Sequence, residues 1–174
     1  MDIIRIALGP IQTNCYIIVS GRDAAIIDPG DYSSAMADYI KKNDLRVRYI
    51  LLTHGHFDHT YGAERFARRF DSKIVIGEDD EIMLHDPEMN GSAMFGTEFK
   101  NVKADVTVKD DDVIKLGNTS CTVLYTPGHT PGGVAYYFAE EKALFSGDTL
   151  FRGSIGRTDM YGGSMEELGN SIVN

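Results

Sequence analysis

Residues 51–62 read L-L-T-H-G-H-F-D-H-T-Y-G. The chain holds five histidines, and three of them, His54, His56 and His59, fall within six consecutive positions that also contain Asp58. The run that leads into them, V-R-Y-I-L-L-T (47–53), is apolar enough for a buried strand. Side chains two apart on an extended segment point the same way, so His54 and His56 can grip one ion from the end of that strand. Asp58 and His59 are adjacent and diverge, which suits a second ion beside the first. Gly55 lets the backbone turn sharply between the first two histidines. Imidazole and carboxylate are the usual donors for zinc, manganese and iron. A lone histidine is more often a surface or satisfied core residue, and an Asp-His pair can simply cap a helix. Four such groups in one short loop go beyond either explanation.

Two later stretches share the same design, a strand that ends in a polar donor inside a glycine-rich turn. In Y-T-P-G-H-T-P-G-G (125–133), His129 is pinned by two prolines and three glycines. In A-L-F-S-G-D-T-L-F (143–151), Asp148 follows an apolar strand, and Gly147 permits close backbone approach. Taken singly each is a weak signal, because Gly-Asp is a common turn. Beside the first cluster both become candidate ligands, since a metal site draws donors from several strand ends.

The totals set the frame. With 174 residues the chain is expected to form one domain, large enough to bury about 70% of its unfolded surface. A formal charge of −9 repels phosphate backbones, so no nucleic-acid partner is expected. No apolar run reaches the roughly 20 residues of a membrane span, so no membrane partner is expected. The N-terminus M-D-I-I-R-I lacks an export pattern, which makes the cytoplasm the expected compartment. Cys15 and Cys121 each sit in an apolar run and form no C-x-x-C pair, and so read as buried free thiols.

Periodicity predicts strands over 3–8, 15–19, 24–27, 47–53, 73–76, 106–108, 113–116, 120–125, 133–138 and 143–145. Helices are expected over 34–43, from about Asp58 with Ala63, Phe66, Ala67 and Phe70 on one face, and after Ser164. The sequence S-M-E-E (164–167) has the form of a capping box, with serine and glutamate each satisfying a first-turn amide. Residues 77–105 read as a short helix followed by an irregular, Met-rich loop. This order fits two packed sheets with outer helices better than a doubly wound parallel sheet.

The spaced motifs resemble the metallo-β-lactamase superfamily, whose signature T-H-x-H-x-D-H stands here as Thr53 through His59. The resemblance implies an α/β fold, an αββα sandwich of two mixed sheets with helices outside. It matches the family's third histidine to His129 and its bridging aspartate to Asp148. The Asp-Pro-Gly at Asp28 also matches, implying that Asp28 supports the site from behind; by itself it could equally be a plain turn residue. The implied metal ligands are His54, His56, His129 and Asp148 for one ion and Asp58, His59 and Asp148 for the other. The stretch F-R-G-S-I-G-R-T-D (151–159) is similar to the small glyoxalase II-like branch. There Arg157 is a candidate for binding a substrate carboxylate, with a purely structural ion pair as the equal alternative.

Two departures qualify the likeness. The helical glutathione-binding domain of glyoxalase II has no counterpart here, and the family's last histidine, in a Gly-His-Gly turn, has no match. The expectation is a chain incomplete at its C-terminus, lacking a last strand and helix, with an uncovered edge that could support an oligomer. His85 is out of register and reads as a loop residue. The implied reaction is metal-assisted hydrolysis of a small thioester or ester, with two zinc ions (or iron or manganese) generating hydroxide and Asp58 orienting it. Rival readings are a mononuclear-iron persulfide dioxygenase, for which Gly-Arg-Thr-Asp (156–159) also fits, and a non-catalytic metal-binding module. Cleavage of β-lactams is disfavoured, because the main zinc lactamases place cysteine where Asp148 stands.

Overall fold

The apolar runs become strands buried on two faces. In this computed structural model, which describes residues 1–173, six strands form one sheet: β1 (Asp2–Leu8), β2 (Thr13–Ser20), β3 (Asp23–Ile27), β4 (Arg46–Leu51), β5 (Lys73–Gly77) and β6 (Val106–Val108). They lie side by side in chain order; β1 to β3 pair antiparallel, and β3 to β6 pair parallel. A second sheet holds β7 (Val113–Leu116), β8 (Thr119–Tyr125), β9 (Val134–Phe138) and β10 (Ala143–Phe145). The short strands β11 (Leu150–Phe151) and β12 (Ser154–Ile155) form a separate hairpin.

Strand alternation divides the interior into two layers. On one face of the first sheet, Cys15, Ile17, Ala24, Ile26, Ile50 and Ile74 pack under the helices α1 (Ser34–Lys42) and α3 (Ala63–Phe70), against Met36, Ile40 and Phe66. On its other face, Ile18, Ala25, Ile27, Leu51 and Val75 meet Val123, Val134, Tyr136 and Phe138 of the second sheet. Both faces of β2 to β5 are therefore dry, which explains why these strands read as nearly unbroken apolar runs. Cys15 and Cys121 are buried and free, in different layers.

The sandwich agrees with the expected architecture, while the hairpin of β11 and β12 has no counterpart among the expected strands. Three further local differences stand out. The second sheet is antiparallel at every described pairing, so one sheet is mixed and not two. The helix expected from Asp58 is split into a single turn, α2 (Phe57–Thr60), and α3. The break falls at Gly62, where any β-carbon would lie 2.5 Å from the Asp31 carbonyl. At α4 (Met165–Val173), the Ser164 hydroxyl accepts from the Glu167 N–H at 3.2 Å, but the reciprocal glutamate bond is not formed. The Ser164 N–H is already taken by the Gly128 carbonyl at 2.8 Å, which docks the helix on the loop that carries His129.

Ile26 is fully buried and Val113 is 60% exposed. Ile26→Ala is expected to lower unfolding free energy by about 2–5 kcal/mol through the cavity it leaves. Val113→Ala is expected to change it by no more than about 0.5 kcal/mol. Urea denaturation followed by circular dichroism measures both; equal effects would contradict this assignment of inside and outside.

Candidate metal centre

All the candidate donors lie at one end of the sandwich, because the strands that carry them finish there. Asp28 follows β3, and Thr53 through His59 follow β4. His129 lies between β8 and β9, and Asp148 follows β10. The Val134 N–H donates to the Thr53 carbonyl at 2.8 Å, which ties the start of β9 to the end of β4 across the two sheets.

Two sets of donors converge. Ligand atoms of His54, His56 and His129 lie within 4.8 Å of one another, and so do those of His54, His59 and Asp148. The imidazoles of His54 and His56 stand edge to face with ring centres 4.9 Å apart, and each is similarly placed against His129. All four histidines are buried. Asp58 lies at the margin of the second set: its Oδ2 is 3.6 Å from His59 Nε2 and accepts the Thr13 hydroxyl at 3.0 Å. The structure thus brings together His54, His56, Asp58, His59, His129 and Asp148.

The supporting hydrogen bonds decide which nitrogens are free. The Thr53 N–H and hydroxyl donate to the two oxygens of Asp28, at 2.8 and 2.7 Å. With its only proton committed, Thr53 Oγ1 can only accept from His54 Nδ1 at 3.1 Å. That fixes the proton on Nδ1 and leaves Nε2 as a bare lone pair, and this atom is buried without a partner. His129 obeys the same logic: its Nδ1 donates to the Arg157 carbonyl at 2.6 Å. Its Nε2 then faces His56 Nδ1 at 3.0 Å and Asp148 Oδ2 at 3.7 Å. His56 Nε2 is also buried and unpartnered. An orphaned acceptor such as His54 Nε2 is costly in a dry site, and a divalent ion satisfies it. The donor set therefore fits a metal.

Electrostatics agree. Burial and the neighbouring imidazoles hold His54 well below the usual histidine pKa, and the same causes push His56 down to about 3. Both stay neutral, as ligands must be. His59 differs. Burial opposes its charge, but Asp28 and Asp148 outweigh burial and raise its pKa well above the usual value. Its Nδ1 lies 3.0 Å from Asp28 Oδ2, off the line of a hydrogen bond, and its Nε2 lies 3.2 Å from Asp148 Oδ1. Burial would raise Asp148, yet the histidines around it win and lower its pKa.

Backbone shape is part of the site. Gly147 has φ +51°, and a β-carbon there would lie 2.2 Å from Thr53 Oγ1, so only glycine brings Asp148 this close. Asp28 itself sits at φ +47°, a conformation unusual outside glycine, and its carboxylate thereby reaches Thr53.

The remaining candidates fall as follows. The Arg157 guanidinium is exposed and held in a two-point ion pair with Asp159, at 2.6 and 2.8 Å. His85 is a loop residue paired with Glu81 and Asn101, as its position suggests. The motif reading did not register Asp80, a fully buried carboxylate in the 3₁₀ segment Glu78–His85. It stands in E-D-D-E (78–81), which on paper is a solvated acidic run. The one available signal was the apolar I-M-L that follows, which turns part of the segment inward. Thr13, which holds Asp58, carried no signal.

A cleft of about 400 Å³ opens beside the site, lined among others by Thr13, Asp58, His59, Asp148, Ile11 and Phe151. No helix among the described residues is long and apolar enough to cross a membrane.

Known proteins share this fold. The chain is 38% identical over 169 residues to a probable metallo-hydrolase, YqgX, of Bacillus subtilis, covering 97% of this chain and 80% of that protein. It is 34% identical over 177 residues to the hydroxyacylglutathione hydrolase GloC of Haemophilus influenzae, covering 99% of this chain and 82% of that one. Its fold superposes on the crystal structure of the B3 metallo-beta-lactamase BLEG-1 with a TM-score of 0.93 and 39% identity, over 99% of this chain and 84% of that one. The profile of the Metallo-beta-lactamase superfamily matches residues 8–174, with every histidine and aspartate of the centre inside the match; the chain belongs to that superfamily of metal-binding hydrolases.

Proposed function

We propose that residues 1–174 act as one cytoplasmic domain that hydrolyses a small anionic thioester with two zinc ions. The observation that carries this reading is the pair of buried donor sets with orphaned imidazole nitrogens. His54, His56 and His129 would hold one ion and Asp58 and His59 the other, with Asp148 contributing to the second set. On binding, His59 would give up the proton that Asp28 and Asp148 favour in the metal-free site. Ions bound there supply an acidified water and a Lewis acid for the scissile carbonyl. The thioester choice is supported by the likeness to GloC and by a cleft in which apolar side chains such as Ile11 and Phe151 stand beside Asp58, His59 and Asp148.

The residues divide the work. Asp58, its Oδ2 steadied by Thr13, orients the attacking water. Asp28 fixes the tautomer of His54 through Thr53 and holds His59 in place, so neither ring must reorganise during the reaction. Ile11 and Phe151 exclude water from the apolar part of the substrate. Arg157, exposed near His129, would take the substrate's carboxylate by exchanging Asp159 for it.

A second reading, β-lactam hydrolysis, is favoured by the 39% identity to BLEG-1. A panel of thioesters, esters and β-lactams assayed on the zinc-loaded protein separates the two. Thioester turnover without lactam turnover supports the proposal, and the reverse outcome replaces it.

Chelation is expected to abolish hydrolysis and zinc to restore it, with elemental analysis giving two ions per chain. Asp58→Ala should lower metal content and turnover together; undiminished turnover with one ion would refute the two-ion reading. Arg157→Ala should raise KM for anionic thioesters about tenfold, the worth of one charge-assisted hydrogen bond, and leave KM for neutral ones unchanged. Asp159→Asn should lower the anionic KM. An unaltered KM in both variants would confine the guanidinium to a structural pair.

A further inference from the structure

The Asp80 carboxylate is fully buried and makes no ion pair among the described residues, yet both of its oxygens are engaged. Oδ2 accepts the N–H of Gly55, the residue between His54 and His56, at 2.8 Å. Oδ1 accepts the N–H of Gly132, three residues after His129, at 2.6 Å. One side chain therefore joins the loop that carries two of the histidines to the loop that carries the third.

The joint is built at close quarters. A β-carbon at Gly132 would lie 2.3 Å from the Asp80 nitrogen, and one at Gly55 would lie 2.6 Å from the Met83 β-carbon. A β-carbon at Gly77, where the 3₁₀ segment begins, would meet the Gly132 carbonyl at 2.1 Å. The segment is thus wedged against both loops at points where only glycine fits. A carboxylate buried without a counter-ion is expensive, and here it is retained on two backbone amides.

We infer that Asp80 is a positioning residue: by clamping Gly55 and Gly132 it sets the gap between His54, His56 and His129 before any ion arrives. The inference rests on the metal reading above. Asn at this position keeps the shape but offers one acceptor and one donor, so its amide would face one of the two N–H groups with an N–H of its own. Loss of such an outer support typically costs 10–100-fold in metal affinity.

The experiment uses cobalt(II), which accepts the same nitrogen and oxygen donors and reports its geometry through visible absorption. Wild-type protein, Asp80→Asn and Ser72→Ala are titrated, and the melting temperature of each metal-free protein is measured. Ser72→Ala is the stability control, since its hydroxyl bonds the Val47 carbonyl in the interior, away from the centre. The expected result is a cobalt affinity about 10–100-fold weaker in Asp80→Asn with an altered spectrum, and no change in Ser72→Ala. Wild-type affinity and spectrum in Asp80→Asn would overturn the inference, whatever its melting temperature. Failure of the wild-type protein to bind cobalt or zinc would instead overturn the metal reading and the inference with it. Should Asp80→Asn fail to fold, hydrogen exchange in the metal-free wild type decides. Protection of the Gly55 and Gly132 amides supports preorganisation, and free exchange that slows only on adding metal overturns it.

Discussion

The structure depends on a buried carboxylate at the end of a strand. Asp28 leaves the parallel pair of β3 and β4 in a left-handed conformation and turns its side chain back across the top of the sheet. There it takes the N–H and the hydroxyl of Thr53 and lies beside the ring of His59. Such a charge could not remain in an apolar interior by itself. It remains because the Thr53 N–H and hydroxyl donate to its two oxygens and the His59 ring lies beside it, all from the loop that follows β4. The burial of Asp28 and the shape of that loop are thus one fact.

From that fact the rest follows by geometry. Parallel strands finish at the same end of a sheet, so the loops after β3 and β4 meet without a long excursion, and the 3₁₀ segment after β5 joins them. The antiparallel second sheet brings two more loops to the same end, after β8 and after β10. Five elements from two sheets therefore converge on a volume that neither sheet could enclose by itself. The hydrogen bond from Val134 to Thr53 and the bonds from Asp80 to Gly55 and Gly132 are the fixings that keep them in register.

Much of this was legible in the sequence because two physical signals were strong. Long apolar runs such as V-R-Y-I-L-L and K-I-V-I announce strands dry on both faces, and donors placed directly after such runs announce a site at strand ends. His54, His56, His59 and Asp148 were visible in this way, and His129 through its cage of proline and glycine. Asp80 was not, because a carboxylate in an acidic run looks solvated until the burial of Met83 and Leu84 is known to pull it inward. Thr13 was hidden for a related reason: its partner, Asp58, is 45 residues away, and nothing local requires a hydroxyl there. The antiparallel character of the second sheet was equally beyond periodicity, which reports faces and not directions. The unmade half of the box at Ser164 shows the same limit, since a tertiary acceptor, the Gly128 carbonyl, took the amide that local pattern had assigned to glutamate.

Charge raises a last question, since a chain with a formal charge of −9 is poorly suited to attract an anionic substrate. Asp28, Asp58 and Asp148 add to the problem if the centre is taken without ions, because His54 and His56 are held neutral and only His59 is shifted toward its charged form. Two divalent cations, if bound there as proposed, would offset those three carboxylates and, before any hydroxide forms, leave about one net positive charge at the floor of the cleft. Beyond a Debye length of about 8 Å the rest of the surface is screened, and within it the centre dominates. On this reading the acidic composition does not oppose the proposed substrate. It would restrict attraction to the one place where metal is bound, so that the empty protein would repel the anion that the loaded protein would take.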